Sequence, residues 1–132
     1  MGSPTILIAD DNAEMRETIT RLIETHFQLV GSAVDGQQAI EFAIRLNPDV
    51  VLLDISMPVL NGIQVASHLQ NSGCAAKLIF VTVHDDSEYV DAAYSIGVLG
   101  YVLKPHIGDD LIPAIQAALQ SRRFTSNVVR AA

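Results

Sequence analysis

The sequence predicts an α/β domain in which one parallel sheet of five strands is covered by helices on both faces. Three observations predict it. Short, continuous, β-branched apolar runs recur along the chain, as expected of strands buried on both sides. Between them the apolar period changes to that of a helix. Polar residues then follow the carboxyl ends of four of the five strands, where open α/β sheets place their ligands.

Taken in order, Ile6-Leu7-Ile8-Ala9 forms the first strand, and Met15, Ile19, Leu22 and Ile23 form the apolar stripe of the first helix. Leu29 to Val34, interrupted by Gly31, is the second strand, followed by a helix with Ala39, Ile40, Ala43 and Ile44 toward the sheet. Val50-Val51-Leu52-Leu53 and Leu78-Ile79-Phe80-Val81 are the third and fourth strands, and the helix between them turns Val65, Ala66 and Leu69 inward. The fourth helix carries Val90, Ala93 and Tyr94, and the fifth strand runs from Leu99 to Leu103, interrupted by Gly100. The last helix shows Leu111, Ile112, Ile115, Ala118 and Leu119 on one side. Pro113 places its start at about Asp109 or Asp110, because only a first-turn residue has no intrahelical partner for its amide. Alternating strands and helices connect by right-handed crossovers, and five strands favour the flavodoxin-like order 2-1-3-4-5. Ser121 to Ala132 loses periodicity and is read as a frayed tail.

Length and composition narrow the function. A chain of 132 residues has room for one domain and one core. Hydrophobic residues make up 49% and charged residues 17%, the balance of a folded chain. No apolar run approaches the roughly 18 residues of a membrane-spanning helix, and Met1-Gly2-Ser3-Pro4 lacks signal-peptide character, so a cytoplasmic location is expected. The net charge of −7 argues against nucleic-acid binding by this chain, and Arg122, Arg123 and Arg130 fall in its last eleven positions. Cys74 is alone and can form no internal disulfide.

The strand ends gather one polar cluster: Asp10-Asp11 after the first, Asp54 after the third, Thr82 at the fourth and Lys104 at the fifth. Two carboxylates at about 4 Å repel by about 4 kcal/mol at moderate dielectric, so three around one point need a cation. Oxygen-only ligands point to Mg²⁺, with Mn²⁺ as an alternative ion, and Mg²⁺ keeps sites open for a phosphoryl oxygen. Each residue also has a plainer use. An Asp after a strand ordinarily caps a helix, and Asp10, Asp11 and Asn12 compete to cap the first. Lys104 alone would be a solvated charge, and Tyr101 alone a core ring. Together the cluster points to phosphoryl transfer.

Five separated segments resemble the receiver domains of two-component response regulators: IleAlaAspAspAsn at 8–12, AspIleSerMetPro at 54–58 with Asn61-Gly62, ValThrValHis at 81–84, and TyrValLeuLysPro at 101–105. The resemblance implies a CheY-like fold and assigns roles by position. Asp54 is the phosphoacceptor, charged by a sensor histidine kinase or phosphotransfer protein. Asp11, Asp54 and the Ser56 carbonyl bind Mg²⁺ directly, and Asp10 binds it through water. Lys104 is the second positive clamp, and Thr82 and Tyr101 form the switch. His84 tunes dephosphorylation, and Val83 narrows a pocket that many relatives line with Ala or Gly. The Lys104–Pro105 bond is expected to be cis, aiming Lys104 inward.

Residues 83–104 are similar to receivers of NarL/FixJ (LuxR) type, which usually precede a helix-turn-helix DNA-binding domain, and Arg122-Arg123-Phe124 to Val128 resembles their linker. The expected division is a receiver over 4–120 and a tail or truncated linker over 121–132, either an excised receiver or a natural single-domain one. Phosphorylation is expected to switch a dimerising surface around the fourth helix, fifth strand and fifth helix. The chain would promote only its own phosphorylation and hydrolysis, so it is not a conventional enzyme. Three rival readings fit the sequence less well. A phosphate-independent interaction module would lack part of the cluster. A flavodoxin-like cofactor binder would not place Asp10 and Asp11 against a nucleotide phosphate. A phosphatase with an aspartyl nucleophile would carry a second Asp where Asn12 stands.

Overall fold

The computed structural model describes residues 3–126. Its elements are β1 (Thr5–Ala9), α1 (Ala13–Ile23), β2 (Gln28–Ala33), α2 (Gly36–Leu46), β3 (Val50–Leu53), α3 (Gly62–Asn71), β4 (Lys77–Thr82), α4 (Ser87–Ile96), β5 (Gly100–Leu103), α5 (Ile107–Leu119) and β6 (Phe124–Thr125). The sheet order is β2-β1-β3-β4-β5-β6, parallel throughout. The order 2-1-3-4-5 expected from the sequence is therefore present, extended by one short strand.

Side-chain alternation along the strands divides the interior into two layers. Ile6, Ile8, Val50, Leu52, Ile79, Val81 and Val102 face α1 and α5. Leu7, Ala9, Val51, Leu53, Leu78, Phe80, Tyr101 and Leu103 face the layer of α2, α3 and α4. Both faces are buried, which is why these strands read as unbroken apolar runs. At roughly 1.5–3 kcal/mol for each large aliphatic side chain withdrawn from water, these layers dominate the stabilisation and hold the strand ends rigidly.

Several expectations are corrected. Helix α5 begins at Ile107, two or three residues earlier than Pro113 suggests, and a 3₁₀ turn over Lys104–His106 precedes it. Pro113 thus sits inside the helix on its exposed side, where solvent can serve the carbonyl that loses its amide partner. No peptide bond among the described residues is cis, so the Lys104–Pro105 bond is trans. Pro105 lies in the first turn of the 3₁₀ helix, where its fixed φ fits and its missing N–H costs nothing, and the helical turn itself aims Lys104. Ile44, expected on the inward stripe of α2, is 59% exposed. The inner face of that helix is set by Ala39 and Ala43, and a residue one position further round the 3.6-residue period points outward.

The frayed tail is also corrected in part. Phe124 and Thr125 pair with Gly100 and Tyr101 of β5, and the Phe124 and Ser126 amides donate to the carbonyls of Leu99 and Tyr101 at 3.0 and 2.9 Å. These bonds cover an edge of β5 that would otherwise expose unpaired backbone groups. Residues 127–132, including the end of the linker-like segment and Arg130, lie outside the described residues.

Candidate functional site

Three of the helices that start near the carboxyl end of the sheet, α1, α2 and α3, take a side-chain cap from outside the carboxylate cluster. Asn12 caps α1, accepting from the Met15 amide at 2.9 Å, and Asp35 caps α2 through the Gln38 amide at 2.8 Å. Asn61 caps α3 in a reciprocal capping box with Gln64. The capping use of an Asp after a strand is thereby taken by neighbours at these three helices, and Asp10, Asp11 and Asp54 cap none of them.

Their carboxylate oxygens lie within 4.8 Å of one another, with Asp10 and Asp54 buried and Asp11 exposed. Asp10 is fixed by its own backbone surroundings: its Oδ1 accepts from the Asn12 amide at 2.8 Å, and its carbonyl accepts from Arg16 Nη1 at 2.9 Å. Oδ1 of Asp54 accepts from the Ser56 amide at 3.3 Å. Lys104 Nζ reaches between the two buried acids, donating to Asp54 Oδ2 at 3.0 Å and standing 2.9 Å from Asp10 Oδ2. The second contact lies outside hydrogen-bonding geometry, so Asp10 Oδ2 is a buried carboxylate oxygen paired by charge alone.

The electrostatics follow from this crowding. Burial pushes the Asp54 carboxyl above its usual range, against the opposing pull of Lys104 and with a further push from Asp10. For Lys104, burial works against the charge, but its contacts with Asp10 and Asp54 more than offset it and hold the ammonium charged above its usual range. One lysine therefore stands against three acids. Three hard oxygen donors, one without a hydrogen bond, suit a divalent cation such as Mg²⁺ better than a softer metal.

Thr82 is fully buried, and its hydroxyl oxygen accepts from the His84 amide at 3.2 Å. His84 joins two loops: its Nε2 lies 2.7 Å from the Ser56 hydroxyl, and its ring packs on Tyr89 at 4.5 Å between centroids. The Tyr101 ring is fully buried edge-on to Phe80, and its hydroxyl donates to the His84 carbonyl at 2.7 Å. Burial, with Tyr89, Asp86 and Asp85 nearby, pushes that phenol above its usual range, so it remains a donor. Val83 between them is 62% exposed. Thr82, His84 and Tyr101 thus form one bonded chain, and His84 ties it to Ser56, two residues beyond Asp54. The histidine's link to Ser56, 28 residues away in the chain, was not legible in the sequence.

The loop carrying Ser56 is held by close backbone approach. A Cβ on Gly62 would lie 2.2 Å from the Asp54 carbonyl oxygen, and one on Gly36 would lie 2.1 Å from the Leu60 carbonyl oxygen. Between them Val59 adopts φ +72°, a strained value for a β-branched residue, in a tight turn closed by the Leu60 amide on the Pro58 carbonyl at 2.8 Å. Arg16 and Val59 are contributors that sequence reasoning missed. An arginine one turn into a helix and a valine in a loop carry no local signal of such roles.

The comparisons with known proteins agree with this geometry. The family model of the response regulator receiver domain matches residues 6–116. The transcriptional regulatory protein DegU of Brevibacillus brevis is 36% identical over 121 residues, covering 90% of this chain and 51% of the relative. The nitrate/nitrite response regulator protein NarL of Escherichia coli K12 is 34% identical over 127 residues, covering 95% and 59%. A solved LuxR-family two-component response regulator from an Aurantimonas species superposes with a TM-score of 0.91 at 31% identity, covering 97% of this chain and 93% of that one. The chain spans about half to three-fifths of the length of the curated relatives it matches. With its sheet order, its acidic cluster and a family match over most of its length, the chain belongs to the response regulator receiver domains of two-component systems.

Proposed function

We propose that this chain accepts a phosphoryl group on Asp54 from a histidine kinase or phosphotransfer protein, in a reaction that requires Mg²⁺. The observation that carries the reading is the grouping of Asp10, Asp11 and Asp54 within 4.8 Å, with Lys104 on the two buried members. A carboxylate oxygen of Asp54 attacks phosphorus, the bond from phosphorus to the donor histidine nitrogen breaks, and an acyl phosphate is left on Asp54. Asp11, Asp54 and the Ser56 carbonyl would hold the ion directly, and Asp10 would hold it through water. Bound there, Mg²⁺ supplies charge neutralisation for the phosphoryl oxygens. Lys104 pairs with the same oxygens from the other side, and Thr82 hydrogen-bonds one of them.

The switch reading rests on the bonded chain from Thr82 through His84 to Tyr101. Drawing the Thr82 hydroxyl onto the phosphoryl group takes it from the His84 amide and disturbs the carbonyl that receives Tyr101. His84 and the exposed Val83 at the mouth modulate access and phosphate lifetime. Residues 4–120 act as the receiver and 121–132 as its tail or linker, and the relatives that carry such a receiver are named as transcriptional regulatory proteins and response regulators. Such a protein works in the cytoplasm, and no described helix is long and apolar enough to cross a membrane. Its chemistry is self-directed, without turnover of an external substrate.

Two outcomes are expected. Mg²⁺ at a hundred times its dissociation constant raises the unfolding free energy by about 2.7 kcal/mol, and Asp11→Asn removes most of that gain; thermal melts with and without chelator read it. Phosphorylation also shifts the chain toward a homodimer on size exclusion, and an unchanged elution volume would count against a dimerising output.

A further inference from the structure

We propose that Ser126 is a positioning residue for Lys104, and that through it the short strand β6 is coupled to the site at Asp54. The inference rests on the reading of Asp54 as phosphoacceptor.

Lys104 owes its place to the backbone on either side of it. It follows Leu103, the last residue of β5, and precedes the 3₁₀ turn that leads into α5. The chain leaving α5 returns along β5, with its amides at Phe124 and Ser126 bonded to Leu99 and Tyr101. At the next step the ladder is replaced by a side chain. Ser126 Oγ accepts from the Leu103 amide at 3.0 Å and donates to Asp110 Oδ2 at 2.7 Å. Ser126 is 2% exposed and its bond from the Leu103 amide is buried, whereas Asp110 at the other bond is partly exposed. One hydroxyl thus pins the residue before Lys104 and the first turn of α5, with Lys104 in the segment between.

The arrangement suits serine in particular. The group must accept from a buried amide and donate to a carboxylate at once, which alanine cannot do and threonine can. Without the hydroxyl, the buried Leu103 amide loses its acceptor and Asp110 its tie to that strand end, and the β5–α5 junction can shift to satisfy the amide. A shift of that kind moves the ammonium that now reaches both Asp10 and Asp54. The outer part of β6 is held independently: the Tyr94 hydroxyl donates to the Phe124 carbonyl at 3.2 Å and bonds the Thr125 hydroxyl, and Arg123 stacks on the Tyr94 ring. By linkage, whatever the docked strand adds to phosphoryl binding is returned as tighter docking once the phosphoryl group is present.

The test uses the 132-residue chain with Mg²⁺ in four variants, Ser126→Ala, Ser126→Thr, Asp110→Ala and Ser121→Ala, each compared with the wild type. Labelling by acetyl phosphate is followed by intact mass as a function of donor concentration, and exchange of the Leu103 amide is followed by NMR. Ser126→Ala and Asp110→Ala should raise the half-saturating donor concentration by about 3- to 10-fold, the worth of one hydrogen bond, with less change in the maximal rate. Ser126→Ala should also speed Leu103 exchange. Ser126→Thr should restore both, and Ser121→Ala, whose exposed hydroxyl bonds Lys77 among the described residues, should change neither. Beryllofluoride on the wild type should slow exchange at Leu103 and Ser126. Faster Leu103 exchange with unaltered labelling would overturn the coupling, as would an equal loss in Ser121→Ala. Absence of labelling in the wild type would instead strike at Asp54 as phosphoacceptor, while a beryllofluoride effect on exchange would still report on the strand.

Discussion

Replacing Lys104 with methionine should slow phosphate uptake by about 10²- to 10³-fold, the usual cost of removing one preorganised charge at a reacting centre. Methionine keeps most of the side chain's length and loses only the ammonium. The same change should destabilise the metal-free fold by about 3–5 kcal/mol, because Asp10 and Asp54 are then left buried side by side with no counter-charge. Mg²⁺ should recover much of that loss and should bind the variant more tightly than the wild type, since a competing cation has been removed from two of its carboxylates. Rates by mass spectrometry and melts in chelator and in Mg²⁺ would separate the two effects. Equal uptake by the variant and the wild type would make Lys104 a structural counter-ion with no part in transfer.

Gly62→Val should be among the most damaging single changes outside the acidic cluster, costing more than about 3 kcal/mol and abolishing uptake with it. The added Cβ would meet the Asp54 carbonyl oxygen at 2.2 Å and the Ile55 Cα at 2.8 Å, both backbone atoms at the end of β3. A flexible side chain could move aside, but here the strand end itself would have to shift, and Asp54 would move with it. Gly108→Ala is the matched control. Nothing lies within 4 Å of its Cβ position, in the first turn of α5, so stability should hold or rise by about 0.4–1 kcal/mol. Denaturant unfolding of the three chains tests the contrast.

The pattern of what could be read from the sequence has a physical basis. The first, third and fourth strands were legible because burial on both faces writes unbroken runs such as Val50 to Leu53, the second and fifth only as weaker runs broken by a glycine, and the sheet order followed from their alternation with helices. The site was legible for a related reason. Asp10, Asp54, Thr82 and Lys104 interrupt or follow apolar strands where a core would not tolerate them without purpose, and the structure brings Asp10, Asp54 and Lys104 together. The unread features depend on tertiary contact. A two-residue strand such as Phe124–Thr125 has no period to detect. The inward aim of Lys104 comes from a trans Pro105 in a 3₁₀ turn, a choice made by the surrounding helix start and not by the Lys-Pro pair. Pro113 misled because a proline inside a helix is tolerated when its face is exposed. Ser126 looks like any tail serine until the chain folds back on β5.

The account stands on Asp54 as the residue that takes the phosphoryl group, and the most direct measurement is intact mass after incubation with acetyl phosphate, comparing the wild type with Asp54→Asn and with a metal-free control. A gain of about 80 Da, the mass of one phosphoryl group, in the wild type with Mg²⁺ and in neither comparison is the predicted result. No gain in the wild type from acetyl phosphate or from a phosphorylated histidine kinase, or an equal gain in Asp54→Asn, would contradict it.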